Sequence, residues 1–322
     1  MSAIWTRLDR PRFGLANRIS DAIAAMEWRE PDSIADVRSS SEILVACDFG
    51  GSHKGANYEA FAFLTGAIAA SAAWMEKRQR VRDRFLSEGR RMAYKALNDK
   101  RRQRALLPFL AAANTYPGNL FVFLVSKRIP KLFDNPGDEV LFPELVEAVQ
   151  TWKPKPFRRL LLTATLGSIL VSGLSNPLQN ILWLSDQDEI APNPKQHDHA
   201  GHVIHHCVST YAPSNSGLVV FVTTELNFNN FMTEDVVAIP DLAAGALVDA
   251  LSYNDHLMSA GFWLPTNDDL PLKSKLILWW LTDSQQSLRR CVVVIDRAAD
   301  GDVSVLAFIP IRSDSGRIFL SR

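Results

Sequence analysis

Short apolar runs bounded by polar turn residues recur along the chain and predict the strands of a β-sheet. Stretches with helical spacing of apolar residues lie between them and predict helices. The predicted strands cover 43–48, 58–64, 120–126, 180–185 and 217–223, with a C-terminal hairpin formed by 291–296 and 303–311. The predicted helices cover 19–28, 144–152, 157–172, 199–211, 241–247 and 273–281, with one or two more within 76–104.

The order of these elements, a strand hairpin followed by alternating strands and helices, predicts an α/β fold. We expect a mixed sheet with helices on both faces. The stretch 236–240 is expected to be extended and to open directly into the helix at 241–247. The expected organisation is an accessory helical segment at 1–40, a core at 41–255 with a helical insertion around 138–175, and a C-terminal helix and β-hairpin extension at 256–322 that packs on the core.

Composition restricts the class of protein. With 47% hydrophobic and 22% charged residues, the 322-residue chain has the composition of a soluble globular protein. Its 35 basic and 35 acidic side chains balance, so the net charge excludes no class of partner. Three cysteines without a CxxC spacing, and a charged N-terminal stretch, favour a cytoplasmic location. The apolar run 160–174 is shorter than the roughly 20 residues that span a bilayer, so we expect a buried helix there.

Charge is distributed unevenly along the chain. Residues 76–104 contain twelve Lys or Arg and four Asp or Glu, together with an apolar stripe. This pattern favours amphipathic helices whose basic face is either a solvated surface or a contact for the phosphate backbone of a nucleic acid. The candidate nucleic-acid contacts are Lys77, Arg80, Arg84, Arg91, Lys95 and Arg101.

Acidic residues stand at the ends of two predicted strands. Asp48 closes the first strand, and Asp186 and Asp188 follow the strand at 180–185. A carboxylate at the end of a buried strand is costly unless it is paired or holds a metal. If these two strands are neighbours in the sheet, Asp48 meets Asp186 at one edge, with Asp188 as the alternative to Asp186.

Two further acids complete the set of candidate carboxylates. Glu88 lies within the basic segment, and Asp241 begins the predicted helix at 241–247. Carboxylates brought close together repel each other, and hard divalent cations relieve that repulsion. Simpler interpretations stand beside this one: Asp48 as a turn residue, Glu88 in a helix ion pair, and Asp241 as a helix N-cap.

These motifs, in this order, resemble those of the ribonuclease H-like superfamily: 47–51 on a first strand, a return strand, an acid-bearing helix, and 183–187. The stretch 239–246 resembles the "ADL-x-AGA" helix of a large uncharacterised bacterial family with a ribonuclease H-like core, domain of unknown function 3800. The stretch 88–95 is similar to the Glu-x-Lys helix of that family, and the resemblance covers about residues 42–250. It implies a ribonuclease H-like mixed β-sheet flanked by helices, with the N-terminal helical segment and the C-terminal hairpin as additions.

The resemblance implies a metal-dependent nuclease that hydrolyses phosphodiester bonds of RNA or DNA by a carboxylate-held two-metal mechanism, with Mg²⁺ or Mn²⁺ as cofactor. The implied catalytic carboxylates are Asp48, Glu88, Asp186 and Asp241, and the implied metal ligands are Asp48, Asp186, Asp188 and Asp241. Phe49 stands where the family usually has a glutamate, and Pro240 where it has an alanine. The first departure favours an alternative, a catalytically decayed module that binds nucleic acid or a protein partner.

Histidines are concentrated between residues 197 and 206, next to Cys207. His202 and His206 have the i, i+4 spacing of a metal-binding helix face, but neither an HExxH motif nor a paired CxxC is present. We therefore favour a histidine that transfers a proton or contacts a phosphate near the carboxylates. A structural zinc site and a zinc-dependent hydrolase are the alternatives.

Overall fold

The structure is a computed structural model that describes residues 3–9, 14–67, 72–87, 89–129, 152–187, 189–212, 217–226, 231–252, 263–264, 270–283, 286–297, 302–312 and 318–321. Its α-helices are α1 (Gly14–Arg29), α2 (Ala72–Phe85), α3 (Lys100–Ala113), α4 (Pro154–Leu174), α5 (Pro194–Tyr211), α6 (Met232–Ser252) and α7 (Leu272–Leu281). Its strands are β1 (Glu42–Gly50), β2 (Tyr58–Gly66), β3 (Gly118–Ser126), β4 (Asn180–Ser185), β5 (Val219–Thr223), β6 (Trp263–Leu264), β7 (Leu288–Arg297), β8 (Val303–Arg312) and β9 (Ile318–Ser321).

The strands are hydrogen-bonded in the order β5-β4-β1-β2-β3-β7-β8-β9-β6. Strands β1, β2 and β3 form an antiparallel meander, β4 runs parallel to β1 on its other side, and β5 runs parallel to β4. The register between β1 and β4 pairs Cys47 with Ser185. The predicted α/β fold with a mixed sheet flanked by helices is therefore confirmed.

Each face of the sheet carries its own apolar core. Alternate side chains of a strand point to opposite faces, and β1 divides accordingly. Leu44 and Ala46 pack with α2, α3, α6 and α7, whereas Val45 and Cys47 pack with α1, α4 and α5. The same alternation directs Asp48 toward the layer that contains α6.

The C-terminal part of the chain extends the sheet past β3. Strand β7 pairs in parallel with β3, and β8 pairs antiparallel with β7, which confirms the predicted hairpin strands. The second half of β8 pairs antiparallel with β9, and β9 pairs antiparallel with β6. Helix α1 packs against β8, so the two predicted additions to the core contact each other.

Two predictions of local structure need correction or refinement. The stretch 236–240 is helical and lies inside α6, so its predicted extended conformation is wrong. It is buried throughout, and an apolar run of that length does not distinguish a buried strand from a buried helix. The basic segment forms two helices, since α2 ends at Phe85 and α3 begins at Lys100. The predicted helix at 144–152 falls mostly outside the described residues.

Helix α4 is long and apolar enough, by length and composition, to cross a membrane. However, 83% of its most apolar 18-residue window is buried inside the protein. It packs between α1, α5 and the sheet as part of the core, as the sequence predicts. This burial is that of a core helix in a soluble protein.

Candidate functional site

Two acidic side chains meet where β1 and β4 end. Because Cys47 pairs with Ser185 in parallel register, Asp48 and Asp186 directly follow on adjacent strands. By the alternation of the strands, both point toward α6. The prediction that these two acids reach the same edge of the sheet is confirmed. Gly51 makes the turn after Asp48 with φ of +85°, and a Cβ there would lie 2.3 Å from the Tyr58 carbonyl oxygen.

Helix α6 brings the third acid to this edge. Asp241 lies in the middle of α6, so its interpretation as an N-cap is wrong. Asp241, Gly245 and Asp249 are spaced by four residues, and they are partly exposed along an otherwise buried part of the helix. This spacing places them on one face, which lines the space above Asp48.

Tyr94, in the short 3₁₀ turn Tyr94–Ala96, fixes the loop that follows α2 onto this face. Its backbone N–H donates to Asp241 Oδ2 at 2.6 Å, and its hydroxyl donates to Asp249. Its ring lies against Gly245, where a Cβ would come 2.2 Å from the ring. Lys273 of α7 places its Nζ 4.0 Å from the centroid of the same ring. The glycine of the "AGA" segment is thus explained by close approach of an aromatic ring.

These elements enclose a space of about 500 Å³, which we call the carboxylate cavity. Asp48, Asp186 and Asp241 all line it, together with Arg91 and Lys95. The structure therefore brings together three of the predicted acids and two of the predicted basic residues. The further charged residues on its wall are Asp249, Glu234, Glu189, Arg159 and His53.

Asp241 is held in contact with a second carboxyl group. The side chain of Asp48 interacts with that of Asp241 through a hydrogen bond, and this contact lowers the pKa of Asp241. Burial raises the pKa of Asp241 to about 6, and the negative charge of Asp186 adds to the rise. The Tyr94 amide and the positive charge of Lys95 oppose it. Because a carboxylate that binds a metal must be deprotonated, a cation at Asp241 would compete with its proton.

Asp186 is oriented by several donors on one oxygen. Thr224 donates its hydroxyl to Asp186 Oδ1 at 2.5 Å, and the Gln187 amide donates to the same atom at 2.9 Å. Arg91 lies 3.6 Å from that oxygen and also pairs with Glu234 at 2.8 Å. Burial raises the pKa of Glu234, which the charge of Arg91 opposes. Arg91 is thus a cation bridging two acids of the cavity.

The donor set suits a hard divalent cation, although the described residues contain no group of three or more His, Cys, Asp or Glu side chains arranged to hold a metal. Mg²⁺ is typically bound through one or two carboxylates, with water and substrate phosphates completing the shell. The contacting pair Asp48 and Asp241 fits that requirement. Two ions require further ligands from Asp186 and from the residues around it.

Two predicted acids cannot be placed at the site. Glu88 and Asp188 both lie outside the described residues. Helix α2 ends at Phe85, and the placement of Glu88 within the basic helical segment stays a prediction. Asp186 lines the cavity, and Asp188 as the alternative ligand stays a prediction.

The remaining predicted nucleic-acid contacts are exposed on α2 and α3. Lys77, Arg80, Arg84 and Arg101 do not line the carboxylate cavity. Two neighbouring bases of the same segment are buried instead. Arg78 and Arg82 are 2% and 5% exposed, and both bind Asp235 of α6.

The histidines lie on α5 and make mainly local contacts. His197 stacks at 4.8 Å on Phe221, and His199 accepts a hydrogen bond of 3.2 Å from the Trp152 indole. His206 lies 3.0 Å from the Thr210 hydroxyl, and burial lowers its pKa to about 4. In the described part of the chain these side chains form no metal-binding group, and none lines the carboxylate cavity.

Sequence reasoning missed the charged residues that surround the acids. Arg159 is buried on α4, pairs with Glu189, and lies 4.5 Å over the Phe49 ring. The side chain in the position of the family's glutamate is thus covered by an arginine. Buried charges within otherwise apolar helices, Arg159 in α4 and Glu234 in α6, were the available indication in the sequence.

The geometry of the site is the basis on which an activity can be proposed. No protein-family model matches this chain, and no curated protein shows significant similarity to it in sequence.

Proposed function

We propose that the protein is a cytoplasmic, metal-dependent nuclease that hydrolyses phosphodiester bonds of RNA or DNA. One observation carries the proposal: Asp48, Asp186 and Asp241, from two strand ends and one helix, line the same cavity as Arg91 and Lys95. Oxygen ligands for a divalent cation and positive charges for a phosphate are both needed for this chemistry. Mg²⁺ or Mn²⁺ is the proposed cofactor.

The strand arrangement supports a ribonuclease H-like core. An antiparallel meander followed by two parallel strands, in the order β3-β2-β1-β4-β5, forms a mixed sheet of the kind that the resemblance implies. It also accounts for the late position of Asp186 in the sequence. Strand β4 is the neighbour of β1, whereas β3 is separated from β1 by β2, so an acid after β3 would lie farther from Asp48.

The residues of the cavity have different roles in this proposal. Asp48 and Asp241 would hold the cation, and Asp186 would provide a further oxygen ligand. Lys95 and Arg91 bind the phosphate oxygens of the substrate and hold the scissile phosphate in place. The chemistry supplied by a bound divalent cation is Lewis-acid polarisation of the phosphoryl oxygen and acidification of water.

The test is cleavage of labelled RNA and DNA, single- and double-stranded, with Mg²⁺ or Mn²⁺. We expect Asp48→Asn to reduce the rate at least about 100-fold, because it removes a charge that stabilises the transition state through the metal. Its thermal unfolding should stay close to that of the wild type. Asp21→Asn, on the exposed surface of α1, is the matched control and should cleave normally.

Cleavage that persists in EDTA, or that is unchanged in Asp48→Asn, would refute the proposed site. A metal titration gives an independent measure, because a ligand of the native state raises its stability. Mg²⁺ or Mn²⁺ should therefore raise the unfolding temperature of the wild type and not that of Asp48→Asn.

The second candidate is a catalytically decayed module that binds nucleic acid or a protein. The position of Arg91 favours it, since its guanidinium group already bridges Asp186 and Glu234 and supplies a positive charge in the cavity. Phe49 beside Asp48 favours it as well. Nucleic-acid binding without cleavage, and without a thermal shift at millimolar metal, would select this candidate.

A further inference from the structure

A second charged depression lies directly beside the carboxylate cavity. It measures about 390 Å³ and we call it the basic cleft. Ser52 and His53, in the turn between β1 and β2, line both spaces, so the two are adjacent. The charged residues on its wall are Lys54, Glu59, Lys127, Lys155 and Arg158.

Positive charge predominates in the basic cleft. Its four lysines and arginines come from three separate places: the β1–β2 turn, the residue after β3, and the start of α4. The opposing acid, Glu59, is 7% exposed and is paired with Arg158. Arg159, behind it, lies 3.8 Å from the same carboxylate. Glu59 is therefore already shared between two guanidinium groups.

The lysines are positioned by neutral groups. Lys127 Nζ donates to the His53 carbonyl oxygen at 2.7 Å, and Lys155 Nζ donates to the Ser52 carbonyl oxygen at 3.2 Å. Both hydrogen bonds order the ammonium groups along the turn that separates the cleft from the cavity. Because their partners are carbonyls, the bonds fix the positions of the two positive charges without neutralising them.

The positive side chains of the cleft repel one another, and this repulsion lowers the pKa of Lys127. Burial lowers the pKa of Lys127, and the charges of Lys155, Arg159 and Arg158 lower it further, although Glu59 opposes them. Helix α4 has no acid in its first turn, so its positive end adds to the same potential. A bound polyanion would relieve this repulsion.

We propose that the basic cleft binds the phosphate backbone of the nucleic-acid strand whose scissile phosphate lies in the carboxylate cavity. The inference rests on the proposed function and names the path of its substrate. The two spaces lie next to each other across Ser52 and His53, which favours successive phosphates of one chain over an isolated anion. The contacts are to the backbone, so binding here is independent of base sequence.

The test measures binding of a fluorescent single-stranded oligonucleotide in EDTA, so that it does not depend on cleavage. The variant is Lys127→Gln/Lys155→Gln, because glutamine keeps an N–H donor for each carbonyl while removing the charge. We expect affinity to fall about tenfold at about 50 mM salt, and the slope of log Kd against log salt to decrease by about 1.4.

Two double variants serve as comparisons with the same loss of charge. Arg7→Gln/Arg18→Gln, on the exposed N-terminal part, should bind as the wild type does. Lys77→Gln/Arg80→Gln changes the surface of α2 that the sequence predicts to bind nucleic acid. A loss of affinity in the cleft variant no larger than in Arg7→Gln/Arg18→Gln would overturn the proposal, as would a wild type that binds no nucleic acid.

Footprinting of the unaltered chain avoids any effect of substitution on folding. Bound oligonucleotide should protect Lys54, Lys127 and Lys155 from an amine-reactive reagent, while Lys275 on α7 stays reactive. Equal reactivity of the cleft lysines with and without oligonucleotide would also overturn the proposal. Failure of the proposed nuclease activity has a different result: protection and binding persist, and the phosphodiester stays intact.

Discussion

Two aspartates of helix α6 illustrate how the same side chain serves stability in one place and chemistry in another. Asp235, in the first turn, is fully buried and accepts hydrogen bonds of 2.9, 2.6 and 2.7 Å from Arg78 and Arg82. Asp241, nearly two turns later, faces the carboxylate cavity beside Asp48 and Asp186. The first carboxylate is paired with two buried arginines, whereas the second lies beside two other acids, with Lys95 as a nearby positive charge.

The difference appears in how burial is offset at each position. Burial raises the pKa of Asp235, and the hydrogen bonds and charges of the two guanidinium groups oppose the rise. At Asp241 burial and the charge of Asp186 raise the pKa, and the Tyr94 amide and the charge of Lys95 oppose the rise only in part, so the pKa is about 6. A compensated acid stabilises the fold, whereas an uncompensated acid costs stability unless a cation arrives.

The largest expected effect is the loss of the compensated charge. Asp235→Asn leaves two buried guanidinium groups without a counter-charge, and we expect the free energy of unfolding to fall by about 3–5 kcal/mol. Denaturant unfolding measures it, with Asp21→Asn, in an exposed pair with Arg7, as a control that changes stability by less than about 1 kcal/mol.

The triple replacement Arg78→Met/Arg82→Met/Asp235→Leu removes all three charges and should recover much of the lost stability. This variant keeps the test informative if Asp235→Asn does not fold. A single variant as stable as the wild type would show that Asp235 is not the counter-charge of the two arginines.

The next effect has the opposite sign. In metal-free buffer at pH 8, Asp241→Asn should raise the free energy of unfolding by up to about 3 kcal/mol, because an acid with a raised pKa is destabilised when it ionises. The native state keeps the proton of Asp241 up to its pKa of about 6, above the ordinary aspartate value of 3.8. Wild-type stability therefore falls as the pH rises through this window, and the gain of the variant vanishes below it.

Metal provides the control for Asp241. Mg²⁺ or Mn²⁺ should stabilise the wild type more than Asp241→Asn, so the difference between the two narrows or reverses when metal is added. A variant that is less stable than the wild type at pH 8 in EDTA would contradict the view that Asp241 is uncompensated.

The sequence predicted the parts of this comparison that depend on local pattern. Apolar runs located β1 and β4, and the parallel pairing that was posed as a condition brought Asp48 and Asp186 together. Asp241 was found through a resemblance to a motif, although its helix was expected to start at that residue. Helix α6 begins at Met232 and carries Pro240 inside, where a proline usually indicates a helix start or end.

The sequence did not show that Arg78 and Arg82 compensate the charge of Asp235, because this pairing depends on tertiary packing. Arg78 and Arg82 were counted in a basic segment, and their burial follows from a partner 153 or more residues away in the sequence. The basic cleft is assembled from side chains on three separated stretches, none of which is unusually basic apart from the start of α4. Local charge counts do not detect such assemblies.

A smaller effect is expected at the contact that holds the loop of Tyr94 over Asp241. Gly245→Ala places a Cβ 2.2 Å from the Tyr94 ring, and we expect a net loss of about 1–3 kcal/mol despite the better helix propensity of alanine. Cleavage should fall too, because the Tyr94 amide orients Asp241. Gly50→Ala, whose Cβ would lie at an ordinary 3.7 Å from Val248, is the matched control. Equal stability of the two variants would show that the ring adjusts without cost.

The smallest effect is expected next to the compensated pair. Arg80 lies between Arg78 and Arg82 in sequence, but its side chain is 71% exposed and pairs with Glu76 one turn earlier on α2. Exposed i, i+4 pairs contribute about 0.3–0.5 kcal/mol, so Arg80→Ala should change the free energy of unfolding by no more than about 0.5 kcal/mol. High salt should abolish even that difference, whereas it should leave most of the effect of Asp235→Asn, because buried charges are screened much less. Suppose instead that Arg80→Ala lowers the free energy of unfolding as much as Asp235→Asn does. The arginines of α2 would then all contribute to stability, whether they are buried or exposed.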